Sequence, residues 1–412
     1  MFEDITVTPK KFSDYKTIIE PELYDEVIDL AHKLKGRRIV EINATANGGG
    51  VAEILRSSIA LQRDLGIDAH WYVLSANQAF FEVTKMLHNA LQGDKLAPDD
   101  QQWDIYQNHN RELADNFLAN AWDFVLVHDP QPLAMRQFSS VSKAKWGWRC
   151  HIDTSFPNIE VGDRIAGYLN DYEGAIFTLD QFVLPNLKNA RPAEHLAIIP
   201  PAIDPLSRKN QPMDSAKARA LVAGAGIDTK RPYITQISRF DPWKDPIGVI
   251  KAWQKAREQI PNLQLVLMGD MADDDPQGAK ILVMVKAAAE SYSDIHLITE
   301  NDELLVHALQ LTSNVILQKS LREGFGLTVS EALWAATPVI GGDVGGIPLQ
   351  ISDGQTGFLV LDTKTTAQRI VELVNNPTKA KAMGQAGREQ VRKHFLLPRL
   401  LRDQLAFWLE LA

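Results

Sequence analysis

The sequence predicts an α/β protein with two doubly wound parallel-sheet domains, and three observations lead to this fold class. The 412 residues exceed what one hydrophobic core usually supports. Apolar, β-branched runs alternate with helical segments along most of the chain, as in parallel sheets. The stretch from Pro200 to about Met213 is dense in proline and polar residues, as linkers are. We therefore predict a first domain over residues 1–205, a second over 206–395, and a C-terminal helix at about 396–412 that returns to the first domain.

The composition is typical of a soluble globular protein and argues against several classes of partner. Hydrophobic residues make up 45% of the chain and charged residues 23%. The net charge of -9 disfavours nucleic-acid and membrane partners, although local basic sites for phosphates stay open. No signal-peptide pattern opens the chain, and no apolar run reaches the ~18 residues that span a bilayer. We predict a cytoplasmic protein whose single cysteine, Cys150, is a packed thiol.

The first domain opens with an arm and a helix up to about residue 35, followed by a strand, a glycine loop and a helix. The strand is predicted over 38–43 and the helix over 51–65, with three consecutive glycines at 48–50 between them. Gly49 and Gly50 can present backbone amides to a phosphate or a sugar, although a plain tight turn fits the residues equally well. The next strand, 70–75, ends without the acidic residue that a dinucleotide ribose usually needs, so a nicotinamide cofactor is disfavoured.

Two further strands of this domain are predicted to end in polar residues. The runs 123–130 and 148–153 are apolar and carry His128 with Asp129 and His151 with Asp153 near their carboxyl ends. One such histidine is more often structural, but two at one edge of a sheet favour a binding role. Neither pair has metal-ligand spacing.

The second domain begins with a strand predicted over 233–239 and a turn into the next helix near Lys244. Arg239 and Lys244 lie five apart across this turn and can hold a diphosphate, although two solvated surface charges are the alternative. More strands follow at 265–270, 295–299, 315–317 and 338–341, and Gly345-Gly346 is either a plain turn or a close backbone approach to a ligand. The acidic run 273–275 is predicted to be a solvated loop rather than a metal site.

The segment 322–331 has the order strand, loop, helix, with Glu323 on the loop and Glu331 in the first turns of the helix. Gly324 and Gly326 let the backbone approach a bound group closely, and the amides that open the helix favour an anion. Two carboxylates could accept hydrogen bonds from different sugar hydroxyls, with a phosphate between them. This pattern predicts a nucleotide-sugar site.

Taken together, the glycine loop, the 149–153 segment, the Arg239 and Lys244 pair and the Glu323 and Glu331 pair resemble the retaining family-4 glycosyltransferases of GT-B fold. More narrowly, the runs 47–55, 128–132, 148–153, 240–244 and 322–329 resemble the trehalose glycosyltransferring synthases. The resemblance implies two Rossmann-like domains that face a central cleft. It also implies reversible synthesis of α,α-trehalose from a nucleoside-diphosphate glucose, carrying uracil or adenine, and free glucose.

The same resemblance implies roles for individual residues. Arg239 and Lys244 would bind the diphosphate, Glu323 the donor hexose and Glu331 the ribose, while His151 would contact the donor sugar. Further donor-binding positions are Gly49, Gly50, Gly324, Phe325, Gly326 and Leu327. No metal cofactor is expected, since two cations and several amides are available to the phosphates. The sequence leaves the oligomeric state open, a homodimer included.

The acceptor is predicted from the residues near the glycine loop. A sugar phosphate would call for clustered Arg or Lys there, whereas His128, Asp129 and Asp153 suit neutral hydroxyls. Free glucose is therefore expected, with glycerol or another hexose as alternatives. Two other classes stay open. A nucleotide-sugar epimerase of the same fold would form product without any acceptor, and a binding protein would give neither transfer nor nucleotide release.

Overall fold

The computed structural model describes residues 2–47, 49–139, 142–189, 191–269, 276–300 and 302–412. The chain divides into two compact units. The first comprises Met1–Pro201 together with Leu397–Ala412, and the second comprises Ala202–Leu396. The boundary was predicted four residues later, after residue 205. The C-terminal helix belongs to the first unit, where it packs against the helices Pro21–Lys33 and Gly50–Asp64.

The first unit is built on a seven-stranded sheet whose strand order is β1-β3-β2-β4-β5-β6-β7. Only β1 is antiparallel, and every other neighbouring pair is parallel. The chain passes from β2 to β3 on one side and later to β4 on the other. The carboxyl ends of β2 and β4 therefore flank a topological switch point, where open α/β sheets bind ligands. The strands are β1 (Phe2–Asp4), β2 (Arg38–Asn43), β3 (Asp68–Leu74), β4 (Phe124–His128), β5 (Lys145–Arg149), β6 (Gly174–Phe177) and β7 (Leu196–Ile198).

Helices cover this sheet and enclose an aromatic-rich core. Trp103, Trp146 and Trp148 are fully buried, and Cys150 packs beside them as the predicted unreactive thiol, since burial raises its pKa. The capping box of Asp99 and Gln102 begins α4. The helices of this unit are α1 (Pro21–Lys33), α2 (Gly50–Asp64), α3 (Gln78–Leu91), α4 (Asp100–Asp115), α5 (Met135–Phe138), α6 (Ile159–Tyr168) and the C-terminal α15 (Leu397–Leu411).

The second unit has a six-stranded, wholly parallel sheet of order β10-β9-β8-β11-β12-β13. Its switch point lies between β8 and β11. The strands are β8 (Tyr233–Ile237), β9 (Gln264–Met268), β10 (Ile295–Ile298), β11 (Val315–Gln318), β12 (Val339–Gly342) and β13 (Gly357–Val360). The helices are α7 (Ser215–Gly224), α8 (Pro246–Arg257), α9 (Pro276–Ala289), α10 (Glu303–Thr312), α11 (Leu327–Trp334), α12 (Ile347–Gln350), α13 (Thr363–Asn375) and α14 (Pro377–His394).

The predicted fold class of two doubly wound parallel-sheet domains is confirmed, and the structure differs from the prediction in two additional strands and in two strand ends. The arm at the start of the chain contains the short edge strand β1, and β13 carries no strand prediction at all. The strand predicted over 148–153 ends at Arg149, and the one predicted over 233–239 ends at Ile237. His151 is therefore a loop residue, because its backbone N–H donates to the Asp129 side chain instead of to a neighbouring strand.

Within the described ranges, no helix is both long enough and apolar enough to cross a membrane.

Candidate active site

In the second unit, a group of polar side chains surrounds Glu323 in the loop after β11. Glu323 is 8% exposed, and its Oε2 atom accepts from Lys244 Nζ at 2.5 Å, Ser320 Oγ at 3.0 Å and Gln318 Nε2 at 3.1 Å. Its Oε1 atom has no hydrogen-bond partner among the described residues. Three donors thus hold one oxygen of the carboxylate and leave the other for a ligand. We call Gln318, Ser320, Glu323 and Lys244 the Glu323 cluster.

The loop that carries Glu323 is fixed by close packing against Gly345 and by a hydrogen bond from the side chain of Gln350. A Cβ atom at Gly345 would lie 1.7 Å from the carbonyl oxygen of Glu323, so only glycine fits there. Gly345-Gly346 is therefore a close approach to the Glu323 loop. From α12, Gln350 Nε2 donates to the carbonyl of Phe325 at 2.6 Å, and Gly326 adopts a φ of 82° at the start of α11.

Glu331 lies in the second turn of α11 and is 3% exposed. Its Oε2 atom accepts from Gln310 Nε2 at 2.9 Å, and its other oxygen pairs with Lys209. Lys209 belongs to the second unit, in the proline-rich stretch 200–213, and was not singled out in the sequence. The buried carboxylate is thus compensated by a cation and an amide.

The cations predicted to bind a diphosphate follow β8. Lys244 belongs to the Glu323 cluster, whereas the Arg239 side chain is exposed and has no ion pair with any residue that the structure describes. A further cation, Lys319, is buried beside the cluster and pairs with Asp245, which caps α8 through its bond to Gly248 N. Sequence reasoning missed Lys319 because it directly follows an apolar strand.

In the first unit, the glycine loop lines a pocket of about 130 Å³ at the switch point. Gly49 has a φ of 79°, a conformation that favours glycine, while Gly48 lies outside the described residues. Arg56 holds the loop through a bond to the carbonyl of Ala46 at 3.0 Å. No Lys or Arg is among the described residues that line the pocket, which are Asn43, Ala44, Thr45, Gly49, Gly50, Val51, His128, Asp129 and Gln131.

A line of hydrogen bonds joins Glu41, His128 and His151, and we call these three residues the relay. Glu41 Oε2 is 3.0 Å from His128 Nε2, and His128 Nδ1 is 3.0 Å from His151 Nε2. Gln62 and Gln404 donate to the other oxygen of Glu41 at 2.8 and 2.7 Å. Burial alone raises the pKa of Glu41, but these hydrogen bonds outweigh it, so the net pKa is lowered and the carboxyl stays ionised.

The surroundings of His128 and His151 favour the neutral form of each imidazole. Burial lowers the pKa of His128, and burial together with the nearby Arg149 cation lowers the pKa of His151 well below its ordinary value. Glu41 was missed in the sequence, where the only signal is a single acidic residue inside an otherwise apolar strand.

Asp129 adopts a φ of 61° and lines the pocket. Its Oδ1 atom accepts from the backbone N–H of His151 at 2.8 Å, and burial raises its pKa to about 7. Asp153 is placed differently, since its Oδ1 atom accepts from the backbone and side chain of Ser155 at 3.1 and 2.7 Å. Of the three predicted acceptor residues, the structure thus brings His128 and Asp129 to the pocket and places Asp153 in a local turn.

No group of three His, Cys, Asp or Glu side chains within the described ranges could hold a metal ion. The run 273–275, predicted to be a solvated loop, lies outside the described residues.

Comparison with known proteins defines the class to which this architecture belongs. The α,α-trehalose 6-phosphate synthase of Burkholderia multivorans superimposes with a TM-score of 0.72 at 16% identity, covering 91% of this chain and 99% of that one. This likeness shows the GT-B glycosyltransferase fold. A family model described as "Glycosyl transferases group 1" matches residues 219–390, and one described as "Trehalose synthase, N-terminal domain" matches 41–184.

Full-length relatives narrow the class further. The trehalose synthase of Rubrobacter xylanophilus is 43% identical over 419 aligned residues, covering 100% of this chain and 99% of that protein. The trehalose synthase of Pyrococcus horikoshii is 43% identical over 96% of this chain and 95% of its own length. The chain belongs to the trehalose synthase family of glycosyltransferases, and the resemblance found in the sequence is confirmed.

Proposed function

We propose that this glycosyltransferase moves glucose from a nucleoside-diphosphate glucose to free glucose and forms α,α-trehalose with retention of the α configuration. The observation that carries the proposal is the difference in charge between the Glu323 cluster of the second unit and the pocket at the glycine loop of the first unit. The Glu323 cluster provides a cation and an open carboxylate oxygen, which suit a diphosphate and a sugar hydroxyl. The pocket at the glycine loop is lined by neutral groups and Asp129, which suit an uncharged acceptor.

On the donor side, Lys244 and Arg239 would bind the diphosphate. Lys244 Nζ uses one of its three donors on Glu323 and has two left for phosphate oxygens. The open Oε1 atom of Glu323 would accept from a hydroxyl of the donor hexose. Glu331 would take the ribose by exchanging part of its contact with Lys209 or Gln310 for the ribose hydroxyls.

In the transfer step, the bond between the donor C1 and the diphosphate oxygen breaks and a bond from C1 to the acceptor oxygen forms. The proton of the acceptor hydroxyl passes to the departing diphosphate, on the face from which that group leaves. Because the acceptor attacks C1 on that same face, the α configuration is retained without a protein nucleophile. Because the diphosphate takes the proton, no protein base is needed. Lys244 and Arg239 stabilise the negative charge that develops on it. The same two cations make a divalent metal unnecessary in this proposal.

The proposal is tested by product analysis. The purified chain is incubated with UDP-glucose or ADP-glucose together with glucose, glucose 6-phosphate or glycerol, and the products are identified by NMR. Formation of α,α-trehalose from glucose is expected. Turnover only with glucose 6-phosphate would overturn the acceptor, and turnover only with glycerol would keep the chemistry but change the acceptor. Product without acceptor would indicate an epimerase, and neither product nor nucleotide release would indicate a binding protein.

The absence of Lys and Arg from the described lining of the pocket also argues against a sugar phosphate as the acceptor. A phosphate group carries about two charges at neutral pH and is usually held by Arg or Lys. Arg56, the cation nearest in sequence to the glycine loop, is bonded to the loop's own backbone. This arrangement favours free glucose over a sugar phosphate.

A further inference from the structure

Glu41, His128 and His151 form a line across three neighbouring strands of the first unit. Glu41 is in β2, His128 ends β4, and His151 follows β5. Glu41 is 1% exposed and His128 2%. Both ring nitrogens of His128 are taken by these neighbours, at 3.0 Å on each side. His128 lines the pocket but has no ring nitrogen left for a ligand, which points to a role exerted through His151.

The positions of the protons along this line follow from the ionised carboxylate. Glu41 can only accept, so the proton that His128 shares with it must be on Nε2. A neutral His128 then has a lone pair on Nδ1, to which His151 must donate from Nε2. A neutral His151 with its proton on Nε2 has a lone pair on Nδ1. That atom has no hydrogen-bond partner among the described residues and is not one of the enclosed polar atoms.

We propose that Glu41 and His128 are positioning residues that hold His151 as its neutral Nε2–H tautomer, so that Nδ1 of His151 accepts a hydrogen bond from a sugar hydroxyl. The identity of that sugar rests on the proposed function, but the assignment of the tautomer does not. If His151 carried its proton on Nδ1 instead, this atom would donate to a sugar hydroxyl oxygen and could not accept from it. The relay thus selects the direction of the hydrogen bond to the substrate.

The charged groups around His151 are consistent with this assignment. The nearby Arg149 cation disfavours a second positive charge on the His151 ring. Asp129 binds the backbone N–H of His151 through its carboxyl group and leaves the ring nitrogens free of it. Glu41 acts on His151 only through His128.

The substitution Glu41→Gln should reverse the direction of each hydrogen bond in the relay, because an amide has nearly the same shape as the carboxylate but can also donate. Two amide groups, of Gln62 and Gln404, donate to Oε1 of Glu41. In the variant, the amide oxygen must take that position, so the new NH₂ group points at His128 Nε2. His128 must then accept there and carry its proton on Nδ1, which donates to His151 Nε2. His151 is left with its proton on Nδ1, facing the ligand.

The experiment reads the tautomers directly by ¹⁵N NMR of histidine-labelled protein at pH 7.5, since a bare imidazole nitrogen and an N–H nitrogen have well-separated shifts. His128→Asn and His151→Asn spectra assign the signals. In the wild type, we expect His128 and His151 each to carry the proton on Nε2. In Glu41→Gln, both protons should move to Nδ1. The matched control is Gln404→Leu, which removes a donor to Glu41 but leaves its bond to His128, and should keep the wild-type tautomers.

Kinetics complete the test. If the wild type transfers glucose, Glu41→Gln should lower kcat/KM about tenfold or more, the effect of losing one good hydrogen bond, with a smaller change in Gln404→Leu at a comparable melting temperature. A wild-type His151 that carries its proton on Nδ1, or is an imidazolium, overturns the inference even if Glu41→Gln fails to fold. Unchanged kcat/KM in a folded Glu41→Gln variant also overturns it. A wild type with the expected tautomers but no glucosyl transfer contradicts the proposed function alone.

Discussion

The two ligand-facing regions use a buried carboxylate in opposite ways. In the second unit, Glu323 is neutralised by Lys244 and keeps one oxygen for a ligand. In the first unit, Glu41 is enclosed by His128, Gln62 and Gln404 and has no oxygen left over. In the proposed function, the cation beside Glu323 suits the charged group that departs from the donor, and the pocket of the first unit suits neutral sugar hydroxyls. The predictions below test this assignment.

The largest expected effect is on the two cations. Lys244→Ala should reduce kcat/KM by roughly 10²-fold or more, since it would remove the proposed electrostatic contact to the departing diphosphate. Arg239→Ala should have a similar kinetic effect. The two should differ in stability, because Lys244→Ala leaves the buried Glu323 without its cation and costs about 2 kcal/mol.

Steady-state kinetics and thermal unfolding of both variants measure this. Arg239 is exposed and unpaired among the described residues, so its variant should melt like the wild type. Near-wild-type kcat/KM in both variants would remove the cations from the mechanism.

The next effect concerns the shape of the Glu323 loop. Gly345→Ala would place a methyl group against the Glu323 carbonyl, displace the carboxylate and lower kcat/KM about tenfold or more. Gly354→Ala is the matched control, because Gly354 also has a positive φ, of 74°, but an added Cβ there meets nothing within 4 Å. Both variants carry the same backbone strain of about 1 kcal/mol. Equal activity of the two would show that the close approach of Gly345 is not needed.

A smaller effect is expected from Asp129, which tests whether the pocket of the first unit disfavours charge. Its pKa is raised to about 7 by burial, so the folded protein keeps a proton that the unfolded chain releases at about pH 4. The stability from this group is therefore fully present below about pH 4 and is lost as the pH rises through about 7. Asp129→Asn removes the cost of ionisation and tolerates the left-handed backbone.

We expect Asp129→Asn to be more stable than the wild type by about 1 kcal/mol or more at pH 8, and to show no gain at pH 4. Urea unfolding at the two pH values measures the difference. A gain that is the same at both, or a loss at pH 8, would show that Asp129 ionises freely in the folded protein.

Adding a chelator is expected to have no effect on the reaction rate. Because Lys244 and Arg239 are proposed to take the place of a metal on the diphosphate, EDTA should leave the rate unchanged. Activity that disappears with EDTA and returns with magnesium or manganese would contradict this part of the account.

The sequence predicted the elements that carry their own local signals. The strand from Arg38 to Asn43 matches β2 throughout, because its β-branched run is buried on both faces. Glu323, Glu331 and Lys244 could be singled out as candidates because glycines, a proline and a strand-to-helix turn surround them. The predicted Lys244 and Glu323 contribute to one cluster although they lie 79 positions apart.

What the sequence did not show are the contacts made by side chains that resemble ordinary core or surface residues. Gln350 holds the Glu323 loop from 25 positions beyond Phe325, and Gln404 reaches Glu41 across 363 positions. An amide on a helix carries no local sign of such a partner. The edge strand β1 was missed for the same reason, since its three residues become a strand only by pairing with β3.

The central claim is that the second unit serves a charged donor and the first a neutral acceptor. The most direct test offers the enzyme equal concentrations of glucose and glucose 6-phosphate in one reaction with a nucleoside-diphosphate glucose, and quantifies both products by NMR. The account predicts that α,α-trehalose predominates by about 10²-fold, since a dianion in a pocket without a lining cation loses several kcal/mol. Predominant formation of the phosphorylated disaccharide would contradict it.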